Sequence, residues 1–424
     1  MRLVALLVAA LALAACDRSP APEERSPYAP DPAQRRVEDE LGVARATVKA
    51  AEAAREPFLL AAARPAGQLE VVALFNGAMP TGVTVSHTGR VFVNFPRWGD
   101  SVDIAVAEVK NGRLDPYPDA EINRWPLQGG GKPAAKAFVS VQSVVIDPSD
   151  RLWVLDTGNP EFKGTVPGGP KLVGIDLKTN APFKTIAFSP EIAPRNSYLN
   201  DVRFDLRRGE AGMAFITDSS KDGPNGIVVV DLSSGRAWRR LNDHPSTRPD
   251  KAFQAIVEGR PLMVEAPGKA PQRVQIGADG IALGPDGQRL FYCPLSSRRL
   301  YSVSLDALAD PKQSDAQVKS TVQELGEKGA SDGLEADAQG RLYVTNYENN
   351  AILRRNADGS FETLVYDARV LWPDTLSVAK DGFLYFVANQ LHRQPQYHRG
   401  SDLRQKPYAL FRVRIDGTPV LLVK

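Results

Sequence analysis

Four aspartates, Asp201, Asp279, Asp332 and Asp374, each stand at the head of a short apolar run, as in Asp279-Gly280-Ile281-Ala282-Leu283 and Asp332-Gly333-Leu334. One carboxylate before a strand is as readily a turn residue as a functional one, because Asp accepts backbone N–H groups in turns. Four at equivalent places in a repeat carry more weight if the fold brings them to one axis. Like charges at close range are relieved by a cation, by protonation or by a cationic ligand. With Asn200 beside Asp201, the oxygen donors Asn200, Asp201, Asp279 and Asp332 suit Ca²⁺ or a similar hard divalent cation. No Cys or His cluster is present for a softer ion. Beside a polarising cation, Asp332 is the candidate catalytic base. Alternatively, Asp332 or Asp374 meets the ammonium group of an amine.

These residues recur because the chain repeats. In Ala278–Leu305, Ile281–Leu283 is followed by a Pro285-Asp286-Gly287 turn, a second run at Leu290-Phe291-Tyr292, a Ser296-Ser297-Arg298 turn and an alternating third run. Short β-rich runs between such turns read as an antiparallel meander. Related units begin near Gly82, Ser143, Asp201, Asp279, Asp332 and Asp374, which makes six. One meander cannot bury both faces, whereas a closed ring of them can, and it leaves few open edges. The expectation is all-β: a six-bladed β-propeller over residues 69–424 behind an N-terminal tether and helix. The first strand of each blade is then innermost, and its leading polar residues line one mouth of the channel.

Several segments serve this ring. Leu69–Phe75 is a β-like run placed to complete the last blade beside Leu410–Ile415. Ala252–Gln275 reads as a hairpin turning at Glu258-Gly259-Arg260. Ser314 and Gln317 make a capping box ahead of a helical face of Val318, Val322 and Leu325. Both insertions belong outside the ring or over one mouth.

The 424 residues carry a net charge of +2 with no basic stripe, so nucleic acid is not an expected partner. Arg2 precedes an apolar run, Leu3–Ala15, too short to span a bilayer as a mature helix. Leu13-Ala14-Ala15-Cys16 resembles the lipobox of bacterial lipoproteins, with residues 1–15 as signal peptide and Cys16 lipidated. This predicts a chain on the periplasmic face of a membrane, held by a lipid anchor only. Asp17 resembles an inner-membrane retention signal. Ordinary cleavage after Ala12-Leu13-Ala14 would give a secreted soluble protein instead. Asp17–Pro30 reads as a tether within residues 16–68, and a helix follows Asp31 with Val37, Leu41, Ala44, Val48 and Ala51 on one face. Docking face and spacer both remain open for it. Cys293 lies mid-blade and reads as a small buried hydrophobe. His244 and His87 read as turn residues, the latter solvated, and His392 and His398 as exposed loop residues. No Ser-His-Asp order, phosphate loop or zinc spacing is present.

The runs LNDVRFD, DGIALGPDGQRLFYCPLSSRRLYSV, SDGLEADAQGRLYVTNYENNAILRR and LWPDTLSVAKDGFLYFVANQLHR resemble a bacterial member of the Yellow / major royal jelly protein family, from about Leu69 onward. The resemblance implies a six-bladed propeller. Some insect members of that family bind small ligands such as biogenic amines or sterols in the channel, and others are associated with dopachrome conversion. It places Thr375, Asn389 and Leu391, with Asp374, at the ligand pocket. A more distant resemblance is to gluconolactonase-type propellers, whose axial cation is held by a first-blade Glu, later Asn residues and an Asp that is also the base. Ser331-Asp332-Gly333, Asn200-Asp201 and Asp279-Gly280 match those positions, while Met79-Pro80-Thr81-Gly82 stands where the Glu would be. Three functions follow: an envelope-anchored propeller binding a small molecule, a metal-assisted hydrolase or isomerase, or a protein-interaction platform.

Overall fold

The computed structural model describes residues 65–125 and 133–424, with Arg36, Asp39, Glu40, Gly42, Val43, Arg45 and Ala46 before them. Those seven are helical, as expected after Asp31, and Arg36 pairs with Glu40 one turn on (3.5 Å). The signal segment, Cys16 and the tether lie outside the described residues. The segment through Ala63 and the chain from Arg64 onward are separate units.

The second unit is a propeller of six four-stranded antiparallel sheets. The innermost strands are Gly82–Val85, Val141–Ile146, Leu199–Asp205, Ala278–Leu283, Leu334–Ala336 and Pro373–Val378. They lie side by side around the axis, blade 6 against blade 1. Inner strands such as Gly82–Val85 and Pro373–Val378 are buried at every residue, because neighbouring blades cover both faces. Outer strands such as Ala181–Ala187 are mostly exposed. Inner hairpins turn tightly where glycine supplies a left-handed residue, as at Gly287 (φ 65°) and Gly382 (φ 81°). Between blades, large side chains interlock: Trp153 of blade 2 stacks on Phe204 of blade 3 with centroids 5.3 Å apart.

Leu69–Phe75 closes the ring as the outer strand of blade 6. It runs antiparallel to Tyr408–Arg414, from Leu69 opposite Val413 to Phe75 opposite Tyr408. The segment between blades 3 and 4 forms the expected hairpin: Ile256–Val257 pairs with Arg260–Pro261 around Glu258 and Gly259, both at positive φ (50° and 77°). It folds onto the blade 6 loop, where Arg393 pairs with Glu258 and Glu265 N–H donates to Gln396 O (2.8 Å). Ser314 and Gln317 form the capping box. The helical face expected there is shorter than read. The helix is Asp315–Ser320, Val318 is its buried residue, and Leu325 falls in the outer strand Gln323–Glu327 of blade 4. The need for that fourth strand overrides the helical spacing.

The C-terminal tail was not anticipated. Ala338 N–H donates to Thr418 O (2.9 Å) and Leu206 N–H to Leu422 O (2.8 Å), so the tail links the turns of blades 5 and 3 at one end of the axis. Leu422 is buried there.

Candidate functional site

The Asp-Gly pairs of the repeat have a steric cause. A Cβ on Gly280 would stand 2.4 Å from the Asp332 carbonyl oxygen, and one on Gly333 would stand 2.3 Å from that of Asp374. Glycine lets each inner strand approach the next blade's aspartate, and so packs successive carboxyl groups together at the head of the channel. Gly333→Ala is therefore expected to cost roughly 1–3 kcal/mol of stability by overpacking against backbone. A denaturant midpoint equal to that of the unaltered chain would refute this.

Asp279, Asp332 and Asp374 are each about 95% buried, with 4%, 5% and 4% of their surface exposed. Each is held by a donor. Asn200 Nδ2 donates to Asp279 Oδ1 (2.6 Å), Trp372 Nε1 to Asp332 Oδ2 (2.8 Å), and Asn389 Nδ2 to Asp374 Oδ2 (2.7 Å). Asp279 and Asp332 act on each other's titration. Burial pushes Asp279 and Asp374 well above the ordinary carboxylate range, and the charge of Asp332 pushes both further. Asp332 rises to about 6, chiefly through burial, with the Trp372 hydrogen bond opposing. Lys328 is buried close by, its Nζ donating to Gly329 O (2.9 Å), and its charge acts on Asp332 and Asp279. One lysine faces three carboxyl groups, and burial and the charge of Asp332 favour protonation of the other two.

These groups form the buried end of a cavity at one end of the axis. One wall is aromatic: Phe162 stacks on Tyr198 (4.6 Å between centroids), and Trp98 Nε1 donates to Tyr198 Oη (2.6 Å). Leu295, Leu391 and Tyr397 line it as well, and Lys221 reaches its mouth. A second cavity lies at the other end of the axis behind Pro419–Leu421 of the tail. The three carboxyl groups open into the first.

The residues singled out from sequence divide between these places. Asn200, Asp279, Asp332, Asp374 and Leu391 line the first cavity. Asn389 is fully buried behind it and orients Asp374, also donating to Pro80 O (3.0 Å). Thr375 lines the opposite cavity, one residue farther down the inner strand than Asp374, and its Oγ1 lies 3.4 Å from Asp374 Oδ1. Asp201 does not join the other aspartates. Ser143 Oγ donates to it (2.6 Å), and Arg203 pairs with it (2.8 Å) while reaching across to Leu334 O and Glu335.

The expected cation ligand set Asn200, Asp201, Asp279 and Asp332 is therefore not assembled. Asp201 belongs to Arg203, the Asn200 amide N–H₂ points at Asp279, and an indole N–H occupies Asp332 Oδ2. Among the described residues no group of three or more His, Cys, Asp or Glu side chains is placed to hold a metal ion. Ca²⁺ requires six to eight oxygen ligands, and these residues do not fit it.

Two histidines, His392 and His87, differ from expectation. His392 is buried, stacks on Trp372 (5.8 Å) and lies beside Glu258 (3.2 Å), and burial pushes its pKa down to about 4. The hairpin over residues 252–275 covers it. His87 is half-buried beside Asp150 (4.0 Å), and burial lowers its pKa. His244 is a turn residue, its Nδ1 2.7 Å from Ser246 Oγ. Cys293 is buried and unpaired.

Trp372 was missed. It lies between Tyr347 (4.1 Å, 11° between planes) and His392, and the sandwich aims its N–H at Asp332. Its φ of 57° is rare for a bulky residue, and that strain is held where it positions a carboxylate. Its place two residues before Asp374, in Leu371-Trp372-Pro373-Asp374, was the available signal.

The model of the major royal jelly protein family matches residues 139–415. The Yellow-related salivary protein LJM17 of Lutzomyia longipalpis is 30% identical over 260 residues, 54% of this chain and 57% of that protein. Major royal jelly protein 7 of Apis mellifera is 29% identical over 225 residues, 51% of this chain and 46% of that protein. The matches span about half the length of these relatives. Among solved structures, the calcium-binding protein regucalcin of Agrobacterium tumefaciens str. C58 superposes with a TM-score of 0.51 at 13% identity, over 82% of this chain and 95% of that one. A luciferin-regenerating enzyme gives the same TM-score, 0.51, and identity, 13%, over 85% and 100%. At that identity the likeness is one of fold.

Proposed function

The chain belongs to the major royal jelly protein family, and we propose that it binds a small organic amine in the axial cavity, with the ammonium group among Asp279, Asp332 and Asp374. The observation that carries this reading is the gathering of three buried carboxyl groups at one end of the cavity, with one buried lysine behind them and an aromatic wall in front. An ammonium ion supplies N–H donors and a charge that favours the ionised carboxylates, and aromatic faces suit the organic body of such a ligand. Among the residues, Asn200, Trp372 and Asn389 fix the carboxyl groups in place so that little reorganisation accompanies binding.

The test is a calorimetric titration of phenethylamine into the full chain, with and without a chelator, alongside elemental analysis. Saturable binding unchanged by chelation supports the reading. Stoichiometric Ca²⁺ with lactone hydrolysis that chelation abolishes would replace it with the metal-assisted hydrolase.

The second part of the proposal is anchorage. Leu13-Ala14-Ala15-Cys16 motivates a lipid on Cys16 and a periplasmic location, with the propeller carried beyond the tether. Cys16→Ser is expected to move the protein from the membrane fraction to the soluble one. Wild-type protein that is already soluble would refute the anchor.

A further inference from the structure

The amine-binding cavity has unlike charges at its two ends. Its buried end holds the three aspartates, and at its mouth stands Lys221, the one cation among the described residues that line it. Lys221 lies in the loop between the second and third strands of blade 3, Met213–Asp218 and Gly226–Asp231. Its Nζ sits 3.9 Å from the centre of the Phe162 ring, over the aromatic wall. The residue as a whole is exposed, but its amine lies against that wall. Burial of the amine lowers its pKa, opposed by the charge of Asp222, and no carboxylate hydrogen-bonds to it among the described residues. A plain amine lodged among the aspartates would leave this ammonium group without a partner and be weakly repelled by it. A ligand with an anionic group at its far end would satisfy both ends of the cavity.

Resting on the amine-binding reading above, we propose that the cavity is selective for a zwitterion with separated charges. Its ammonium group lies among Asp279, Asp332 and Asp374, its aromatic body lies along Phe162 and Tyr198, and its carboxylate lies at Lys221. Gln396, which lines the same cavity, is a further donor for that carboxylate. Lys221 is thereby a specificity-determining residue, and separation of the two charges is the feature it reads. An α-amino acid does not meet this requirement, because its carboxylate shares a carbon with the ammonium group and would be carried in among the aspartates.

Three probes titrated into the full chain test this: phenethylamine, para-carboxyphenethylamine and phenylalanine. Para-carboxyphenethylamine is expected to bind up to roughly fivefold tighter than phenethylamine, the scale of one partly exposed ion pair. Phenylalanine is expected to bind more weakly than either. Lys221→Met removes the advantage of the para-carboxylate and modestly raises phenethylamine affinity, and Lys221→Arg retains the advantage. Equal affinities for the two amines, or an advantage that survives Lys221→Met, would overturn the inference while leaving amine binding intact. Failure of all three probes to bind would instead overturn the amine reading itself, and this inference with it.

Discussion

Deleting the chain through Phe75 is expected to leave no cooperatively folded propeller. The deletion removes the outer strand of blade 6 and exposes the N–H and C=O groups of Tyr408–Arg414 along a seven-residue edge. It also takes away Phe75, 3% exposed, which meets Phe95 of blade 1 edge to face at 5.7 Å, and Ala73, 5% exposed. The Glu70 pair with Arg412 (2.7 Å) is lost, as is the bridge from Ala66 to Tyr366 of blade 5. A net stability of about 5–15 kcal/mol does not survive the loss of the ring-closing strand together with its anchoring aromatic. Phe75→Ala isolates the packing part and is expected to cost about 3–5 kcal/mol. Size-exclusion chromatography and urea denaturation read both. A truncated chain as monodisperse and as stable as the full one would show that the ring closes without this strand.

The same strand shows what was legible in the sequence. Leu69–Phe75 and Tyr408–Arg414 lie at opposite ends of the chain, yet the repeat count left one outer strand missing and one apolar run unassigned, so their pairing could be read. The Asp-Gly heads were legible because their cause is local and periodic: each glycine faces the next blade's aspartate carbonyl. The Ser314–Gln317 capping box was legible for the same reason. What was not legible depends on contacts between loops far apart in sequence. Trp372 finds Asp332 from the neighbouring blade, Lys221 finds Phe162 from a different blade, and His392 is buried by the hairpin over 252–275. Asp201 was read as a member of the aspartate set because it occupies the same place in the repeat. Arg203, two residues on, takes it away, and nothing in the repeat foretold an arginine reaching from blade 3 to blade 5. Thr375 is placed at the ligand pocket by the family resemblance alone, and which cavity an inner-strand residue lines is set by how the channel is divided, which the sequence does not display.

Replacing Asp332 by Asn is expected to make the protein more stable at neutral pH and less able to bind an amine. The carboxyl group titrates at about 6 in the folded chain, against an ordinary value of 3.8, mainly because it is buried. Between those two values the folded state holds a proton that the unfolded state has released, so stability falls as pH rises through about 4 to 6. Above that window the whole penalty is present, on the order of 2–3 kcal/mol for a shift of this size. Asn carries no charge, and its Oδ1 can still accept from the Trp372 indole. The substitution should therefore raise the denaturant midpoint above pH 6, with the gain fading toward pH 4. Binding runs the other way. An amine ligand stays protonated throughout and needs the ionised carboxylate, so its affinity for the wild-type chain should fall by up to about tenfold per pH unit below 6. Asp332→Asn should lose at least about tenfold affinity at pH 7 and flatten that profile. If the variant were instead less stable at every pH, with unaltered amine affinity, Asp332 would be a turn residue. The channel head would then have no claim to be a binding site.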